Sequence, residues 1–269
     1  APPAPPPPPP PELRLPALAP GTPQSSGTWA VIIGINDYPG TRSDLRSAVN
    51  DANDVDQALA AMGVPDQNRL VMRDGQATGA GIRQAVEWLV SRAGPDATAV
   101  FFYGGHVRKL GVTTEALVAA DGSLVADRDL GEWLSHLTAR RSWVAIAGCY
   151  GAGFTELLAP GRVLTGASAA DALAYESSEF NRSFMVQYMV REAMIENRAS
   201  SSVQAAYAYA LTELAREHPG RQPVQIDMLL APLDLRPLLA PSPPAATPVT
   251  VAPTPPTTVC RPFLLNLCR

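Results

Sequence analysis

The chain contains a cysteine and a histidine in matching sequence contexts. The apolar run 143–147 leads through one glycine to Cys149, and the mostly apolar run 98–103 leads through two glycines to His106. Such runs are typical of buried parallel strands, whose carboxyl ends lie on one edge of the sheet. Because neighbouring strands are only ~5 Å apart, a thiol and an imidazole that follow adjacent strands can meet. The pattern therefore predicts a cysteine nucleophile with a histidine base.

The simpler interpretation of Cys149 is structural, since a lone cysteine after an apolar strand is usually a small buried hydrophobe. The matching histidine and the glycines around both residues favour chemistry instead. Acyl transfer requires backbone N–H groups that face a developing oxyanion, and glycines leave room for the substrate to approach.

Composition limits the protein to a few classes. Its 269 residues are 46% hydrophobic and carry a formal net charge of −4. This is enough apolar material for one domain with a proper core, and the acidic balance argues against nucleic acid as a partner. No apolar run reaches the ~20 residues that a membrane-spanning helix requires. The oligomeric state is left open.

Proline divides the chain into three parts. Of the 28 prolines, 12 lie in residues 1–23 and 10 in residues 232–262. We therefore predict a Pro-rich N-terminal tether over 1–27, a folded domain over 28–231 and a Pro-rich C-terminal tail over 232–269.

The two ends of the chain carry further predictions. Ala1 is followed directly by a Pro/Ala-rich stretch, as in the mature forms of many exported bacterial proteins, so we expect a secreted or envelope-associated bacterial protein. In such a compartment Cys260 and Cys268 could close a small disulfide loop, or they could remain free thiols in a dispensable tail. Either outcome leaves Cys149 unpaired.

Between the proline-rich ends, strand and helix patterns alternate. The predicted strands are 29–35, 69–72, 98–103, 143–147, 162–168 and 222–226, and the predicted helices are 44–62, 81–92, 129–140, 182–197 and 202–217. Strands connected by crossover helices predict an α/β fold, a three-layer sandwich with a mostly parallel central sheet and helices on both faces.

Several segments resemble the caspase-like cysteine peptidases, and among them the metacaspases. The matching segments, in chain order, are Val31-Ile32-Ile33-Gly34-Ile35-Asn36-Asp37-Tyr38, Leu45-Arg46-Ser47-Ala48-Val49-Asn50-Asp51, Phe102-Tyr103-Gly104-Gly105-His106, Ala147-Gly148-Cys149-Tyr150-Gly151, Val163-Leu164-Thr165-Gly166-Ala167-Ser168 and Ala174-Tyr175-Glu176. The likeness covers roughly residues 29–227, with the histidine and cysteine segments in the family's order.

The resemblance implies a caspase-like fold and a cysteine-type endopeptidase that acts on proteins or peptides. It makes Cys149 the nucleophile and His106 the base, and it assigns the backbone N–H groups of Gly105 and Cys149 to the oxyanion. Asp51 matches one acidic residue of the family's pocket for a basic side chain at P1, the residue before the scissile bond.

Three positions depart from the family pattern. Ala147 replaces a second acidic residue of the P1 pocket, Val107 replaces the glycine after the histidine, and Tyr150 replaces the histidine after the cysteine. These changes leave a second interpretation open, in which the domain is catalytically silent and serves as a binding or scaffold module.

Many metacaspases require calcium. Asp121, Asp127 and Glu156 fall near the matching carboxylates, but Arg128 stands where a further aspartate is expected. Because Ca²⁺ requires several oxygen ligands, a cation in the site lowers affinity. We therefore predict no metal or other cofactor and interpret these residues as a solvated acidic loop, with a calcium requirement as the alternative.

Overall fold

The computed structural model describes residues 25–229 and 231–237, all of which belong to one compact unit. Cys260 and Cys268 lie outside the described residues, so their disulfide stays a prediction, as does export. Within the described ranges, no helix is long and apolar enough to cross a membrane.

Strands and helices alternate along the described chain. The strands are β1 Ser25–Gly34, β2 Arg69–Arg73, β3 Ala93–Gly104, β4 Val107–Lys109, β5 Glu115–Val118, β6 Leu124–Ala126, β7 Arg141–Ala147, β8 Arg162–Gly166, β9 Glu176–Ser177, β10 Arg182–Ser183 and β11 Val224–Asp227. The helices are α1 Ala48–Ala61, α2 Gly79–Arg92, α3 Asp127–Ser135 and α4 Val203–Glu217, together with a π-helix at Val186–Ile195.

The central sheet has the strand order β11-β8-β7-β3-β1-β2. Five of these strands are parallel to their neighbours, and β11 alone pairs antiparallel, with β8 at one edge. The runs are almost wholly apolar because both faces of such a sheet are covered. The predicted mostly parallel α/β sheet is confirmed.

Helices cover the two faces of the sheet and make the predicted three layers. Along β1, Val31 and Ile33 point to one face while Ile32 points to the other, as the two-residue period of a strand requires. The first face packs on α2 and α3 through buried residues, namely Ile82, Val86, Leu89, Leu130 and Leu134. The second packs on α1, the π-helix and α4, through Val55, Leu59, Val186, Met189, Val190 and Leu214.

Two predicted helices differ from the structure at their amino ends. The predicted helix 44–62 begins only at Ala48, because Asp44 accepts a hydrogen bond from the Tyr38 N–H at 3.1 Å and holds the preceding residues in a turn. The predicted helix 182–197 loses its first residues to a short antiparallel ladder, in which β10 pairs with β9. It then continues as the π-helix.

The folded unit extends beyond residue 231. Leu233 and Leu235 are buried, with 0% and 3% of their surface exposed. The Val203 N–H donates to Leu233 O at 2.9 Å, and the Thr28 hydroxyl donates to Leu235 O at 2.8 Å. The boundary at 231 is therefore too early, because proline content does not reveal two leucines that dock on β1 and α4.

Candidate active site

Cys149 and His106 each lie two residues beyond the end of a strand. β3 and β7 are parallel neighbours, and Gly104 pairs with Ala147 at their carboxyl ends. The segments that follow β3 and β7 then turn towards one cavity of about 250 Å³. The side chains of Cys149 and His106 line this cavity together with Asp51. We call this cavity the thiol pocket.

Two glycines allow the loops of His106 and Cys149 to approach each other. A Cβ at Gly148 would lie 2.6 Å from Gly105 O and 2.9 Å from Val107 Cγ2. A Cβ at Gly105 would lie 2.6 Å from the hydroxyls of both Tyr38 and Tyr103. Because carbon atoms cannot sit so close, any side chain at either position would push the loops apart.

The imidazole of His106 is held in one orientation. Its Nε2 lies 2.7 Å from Ser43 O, and a carbonyl only accepts, so Nε2 carries the proton and Nδ1 is the basic nitrogen of the neutral ring. The His106 N–H donates to Tyr38 Oη at 2.8 Å, and Tyr103 Oη donates to His106 O at 2.7 Å. A base oriented by a third group in this way is the arrangement that nucleophilic catalysis uses.

Cys149 carries a half-buried free thiol. Its Sγ donates to Ala174 O at 3.8 Å. The next residue, Tyr150, has a left-handed backbone with φ of 57°, a conformation that costs energy for a non-glycine residue and marks a tight turn after the nucleophile position. Among the described residues, the thiol and the imidazole are each hydrogen-bonded to main chain rather than to each other.

The N–H of Gly105 does not point freely into the thiol pocket. It donates to Ala147 O at 3.4 Å, which is long for such a bond. An oxyanion role for this group would require that weak bond to break when substrate arrives. The assignment of Gly105 and Cys149 as oxyanion donors stays a prediction.

Asp51 lies in the wall of the thiol pocket, on the first turn of α1. Its carboxyl is buried and accepts from the Ser183 N–H, at 3.0 Å to Oδ1 and 3.3 Å to Oδ2. Burial raises the pKa of Asp51 to about 8; the bonds from Ser183 oppose this shift, and the charges of Asp54 and Glu176 add to it. Without a bound cation, this carboxyl is therefore mostly protonated at neutral pH.

Glu176 is a pocket residue to which the sequence analysis assigned no role. It lines the thiol pocket, is exposed, and accepts hydrogen bonds from the N–H of Ser47 at 2.7 Å and of Arg46 at 3.2 Å. A carboxylate just before α1 is also favoured by the helix dipole. Glu176 therefore places a second carboxylate near Asp51, where Ala147 supplies none.

The departures from the family pattern have local explanations. Val107 is buried and begins β4, which pairs with β5, so its side chain is part of the hydrophobic core. The Tyr150 ring lies under Lys109, with Nζ 5.4 Å from the ring centroid, and Lys109 is ion-paired with Glu115 at 2.8 Å. Ala147 lines the thiol pocket with a methyl group only.

Two of the carboxylates considered for calcium, Asp127 and Glu156, line one cavity together with Arg128. Asp127 is buried and accepts from the N–H groups of Glu115, at 2.8 Å, and of Arg128, at 2.6 Å. Asp121 instead accepts from the hydroxyl and N–H of Ser123. Within the described residues, no three acidic, histidine or cysteine side chains lie together as metal ligands would. The expectation that the chain holds no calcium stays a prediction.

A mostly parallel sheet with helices on both faces, and with cysteine and histidine on its carboxyl edge, defines a caspase-like fold. The family model described as the caspase domain of the C14 peptidases matches residues 28–230. The chain therefore belongs to the caspase-domain family.

Segments of the chain are similar to curated metacaspases. A segment of 83 residues is 40% identical to metacaspase-1 of Candida albicans, covering 29% of this chain and 18% of that protein. A segment of 115 residues is 36% identical to metacaspase-4 of Arabidopsis thaliana, covering 37% of this chain and 27% of that protein. The chain thus spans less than a third of the length of these relatives.

A solved structure shares the fold. A protein of Geobacter sulfurreducens superposes with a TM-score of 0.62, over 78% of this chain and 97% of that one. The two sequences are only 14% identical, so the likeness concerns the fold alone.

Proposed function

We propose that this chain is a cysteine endopeptidase that cleaves proteins or peptides after a basic residue. The observation that carries the proposal is the thiol pocket, which Cys149, His106, Asp51 and Glu176 line together. A thiol and an imidazole beside two carboxylates suit a substrate whose scissile carbonyl follows a cationic side chain.

Each group has a chemical role in the proposed reaction. His106 Nδ1 accepts the proton of Cys149 Sγ, and the thiolate attacks the scissile carbonyl carbon. The imidazolium then protonates the departing amine as the C–N bond breaks, which leaves a thioester. Water, deprotonated by the same ring, hydrolyses the thioester and restores the thiol. Ser43 O supports these steps because it accepts from Nε2–H and stabilises the imidazolium.

The two carboxylates account for the proposed P1 preference. An arginine side chain that enters the thiol pocket loses the water around its guanidinium group. Carboxylates must then pair with this group, since an unpaired buried charge costs several kcal/mol. Glu176 offers an exposed carboxylate, and Asp51 ionises when the cation arrives because an opposite charge lowers its pKa. We expect arginine to be preferred over lysine, since a planar guanidinium can bond to more than one acceptor at once.

The test is to react the full chain with an electrophilic peptide ketone that carries P1 Arg, at neutral pH. We expect an adduct at Cys149 by mass spectrometry and hydrolysis of P1 Arg peptides. Cys149→Ala and His106→Ala should each abolish hydrolysis, and the double variant should be no worse, because the two residues act as one unit. Absence of labelling together with absence of hydrolysis would favour the silent scaffold domain instead. Full activity of Cys149→Ala would refute Cys149 as the nucleophile.

The P1 assignment has its own variant and control. Asp51→Ala should lower kcat/KM for P1 Arg peptides by ~100-fold, about 3 kcal/mol of transition-state binding, and should affect an uncharged P1 residue much less. The control is Asp56→Ala, which removes an aspartate from the same helix outside the thiol pocket. If Asp51→Ala leaves P1 Arg cleavage intact, Asp51 does not recognise the substrate.

A further inference from the structure

A second, smaller cavity adjoins the thiol pocket. It has a volume of about 140 Å³ and lies between the loop 167–175 and the turn 220–222. Ala174 and Tyr175 line both cavities, so the Tyr175 ring stands at their common wall. We call the smaller cavity the side pocket.

The side pocket contains a fixed cation and no carboxylate. The guanidinium of Arg221 stacks on the Tyr175 ring, with Cζ 3.5 Å from the ring centroid, and it lies 5.9 Å from the Phe184 centroid. Among residues 25–229 and 231–237, Arg221 forms no ion pair, and none of the residues that line the side pocket is acidic. Gln222 adds a second donor, since its Oε1 accepts from the Gly220 N–H and leaves the amide NH₂ available.

The other walls of the side pocket are mostly apolar, apart from the Ser168 hydroxyl. They consist of small or aliphatic side chains, including Ala167, Ala172, Leu173, Met185 and Val224. A mostly apolar cavity with a few placed polar groups is the usual form of a ligand subsite. Because stacking on Tyr175 limits the rotamers of Arg221, little further entropy is lost when a carboxylate pairs with it.

The strand order shows which part of a substrate reaches the side pocket. From the edge inward the strands are β11, β8, β7 and β3. Apart from Val224 at the start of β11, the side pocket is built from residues between β8 and β11. Cys149 follows β7, and His106 follows β3. Because His106 protonates the departing amine, the C-terminal part of the substrate leaves on the β3 side. The part before the scissile bond therefore lies over β8, at the side pocket.

We propose that the side pocket is a specificity subsite for an acidic side chain one or two residues before P1, and that Arg221 binds its carboxylate. This inference rests on the proposed endopeptidase function. The thiol pocket offers the carboxyl groups of Asp51 and Glu176 to a cation, while the adjoining side pocket offers the guanidinium of Arg221 to an anion. The substrate that complements both carries an acidic residue shortly before a basic P1 residue.

The test uses reporter amides that differ only before P1. One is acyl-Arg-reporter, which ends at P1; the others are acyl-X-Ala-Arg-reporter and acyl-Ala-X-Arg-reporter, with X as Glu, Gln or Lys. We expect kcat/KM for the better Glu peptide to exceed that of its Gln counterpart by about ten-fold, as for a partly buried charge-assisted hydrogen bond. Arg221→Gln should reduce this ratio to about one.

The controls separate the possible outcomes. Arg83→Gln removes an exposed arginine from α2, where it pairs with Glu87 at 2.9 Å, and should keep the preference for Glu. Equal cleavage of Glu and Gln peptides by the unmodified chain would overturn the inference while leaving the endopeptidase proposal intact. So would an equal loss of all substrates in Arg221→Gln, since Arg221 would then only brace Tyr175. If the unmodified chain cleaves none of these reporter amides, the proposed function fails and the inference fails with it.

Discussion

Removal of residues beyond 231 should destabilise the domain, although the segment lies between prolines. Burial of each leucine side chain contributes about 1.5–3 kcal/mol, so Leu233 and Leu235 together contribute about 3–6 kcal/mol. The two hydrogen bonds that Thr28 and Val203 donate to this segment add about 1 kcal/mol each. Because the unfolded chain is itself partly compact, these sums are upper values, and we predict a net loss of about 5 kcal/mol.

The measurement compares urea unfolding of the fragments 24–237 and 24–231. With an m-value of roughly 2–3 kcal/mol per molar urea, the unfolding midpoint of the shorter fragment should be lower by about 2 M. In the full chain, Leu233→Ala should cost about 2–5 kcal/mol, whereas Leu110→Ala, at a position 48% exposed, should cost little. Equal midpoints for the two fragments would refute the docking of this segment.

Two further predictions concern the thiol pocket. The pKa of Asp51 is raised from 3.8 to about 8 in the folded chain. Between these two pH values the unfolded chain has released this proton and the folded chain still holds it, so the free energy of unfolding should fall as the pH rises. Asp51→Asn should remove that fall, of up to about 1.4 kcal/mol per pH unit, in urea titrations at pH 5, 6 and 7; parallel curves for both proteins would contradict the raised pKa. Gly148→Ala should cost about 1–3 kcal/mol of stability and most of the peptidase activity, because its Cβ would lie 2.6 Å from Gly105 O. Gly111→Ala, whose Cβ would meet nothing closer than 3.7 Å, is the matched control, and an equal effect of both changes would rule out the close approach of the loops.

The sequence alone was enough to place the main elements of this protein. Continuous apolar runs identify the parallel strands, because a strand covered on both faces has no polar side to display. The glycines before His106 and Cys149 mark the strand ends, and parallel strands end on one edge, so both residues could be assigned to that edge. These patterns can be recognised in the sequence because each depends on only a few consecutive residues.

The tertiary structure decided the contacts that have no local pattern. Ser43 orients His106 through a main-chain carbonyl, which any residue type could provide. Glu176 reaches the thiol pocket from the two-residue strand β9, and Arg221 is held in the side pocket by stacking on Tyr175. Leu233 docks on the core from a segment whose prolines suggest a linker. In each case residues distant in the chain meet through packing, and local hydrophobic periodicity does not encode which of them will meet.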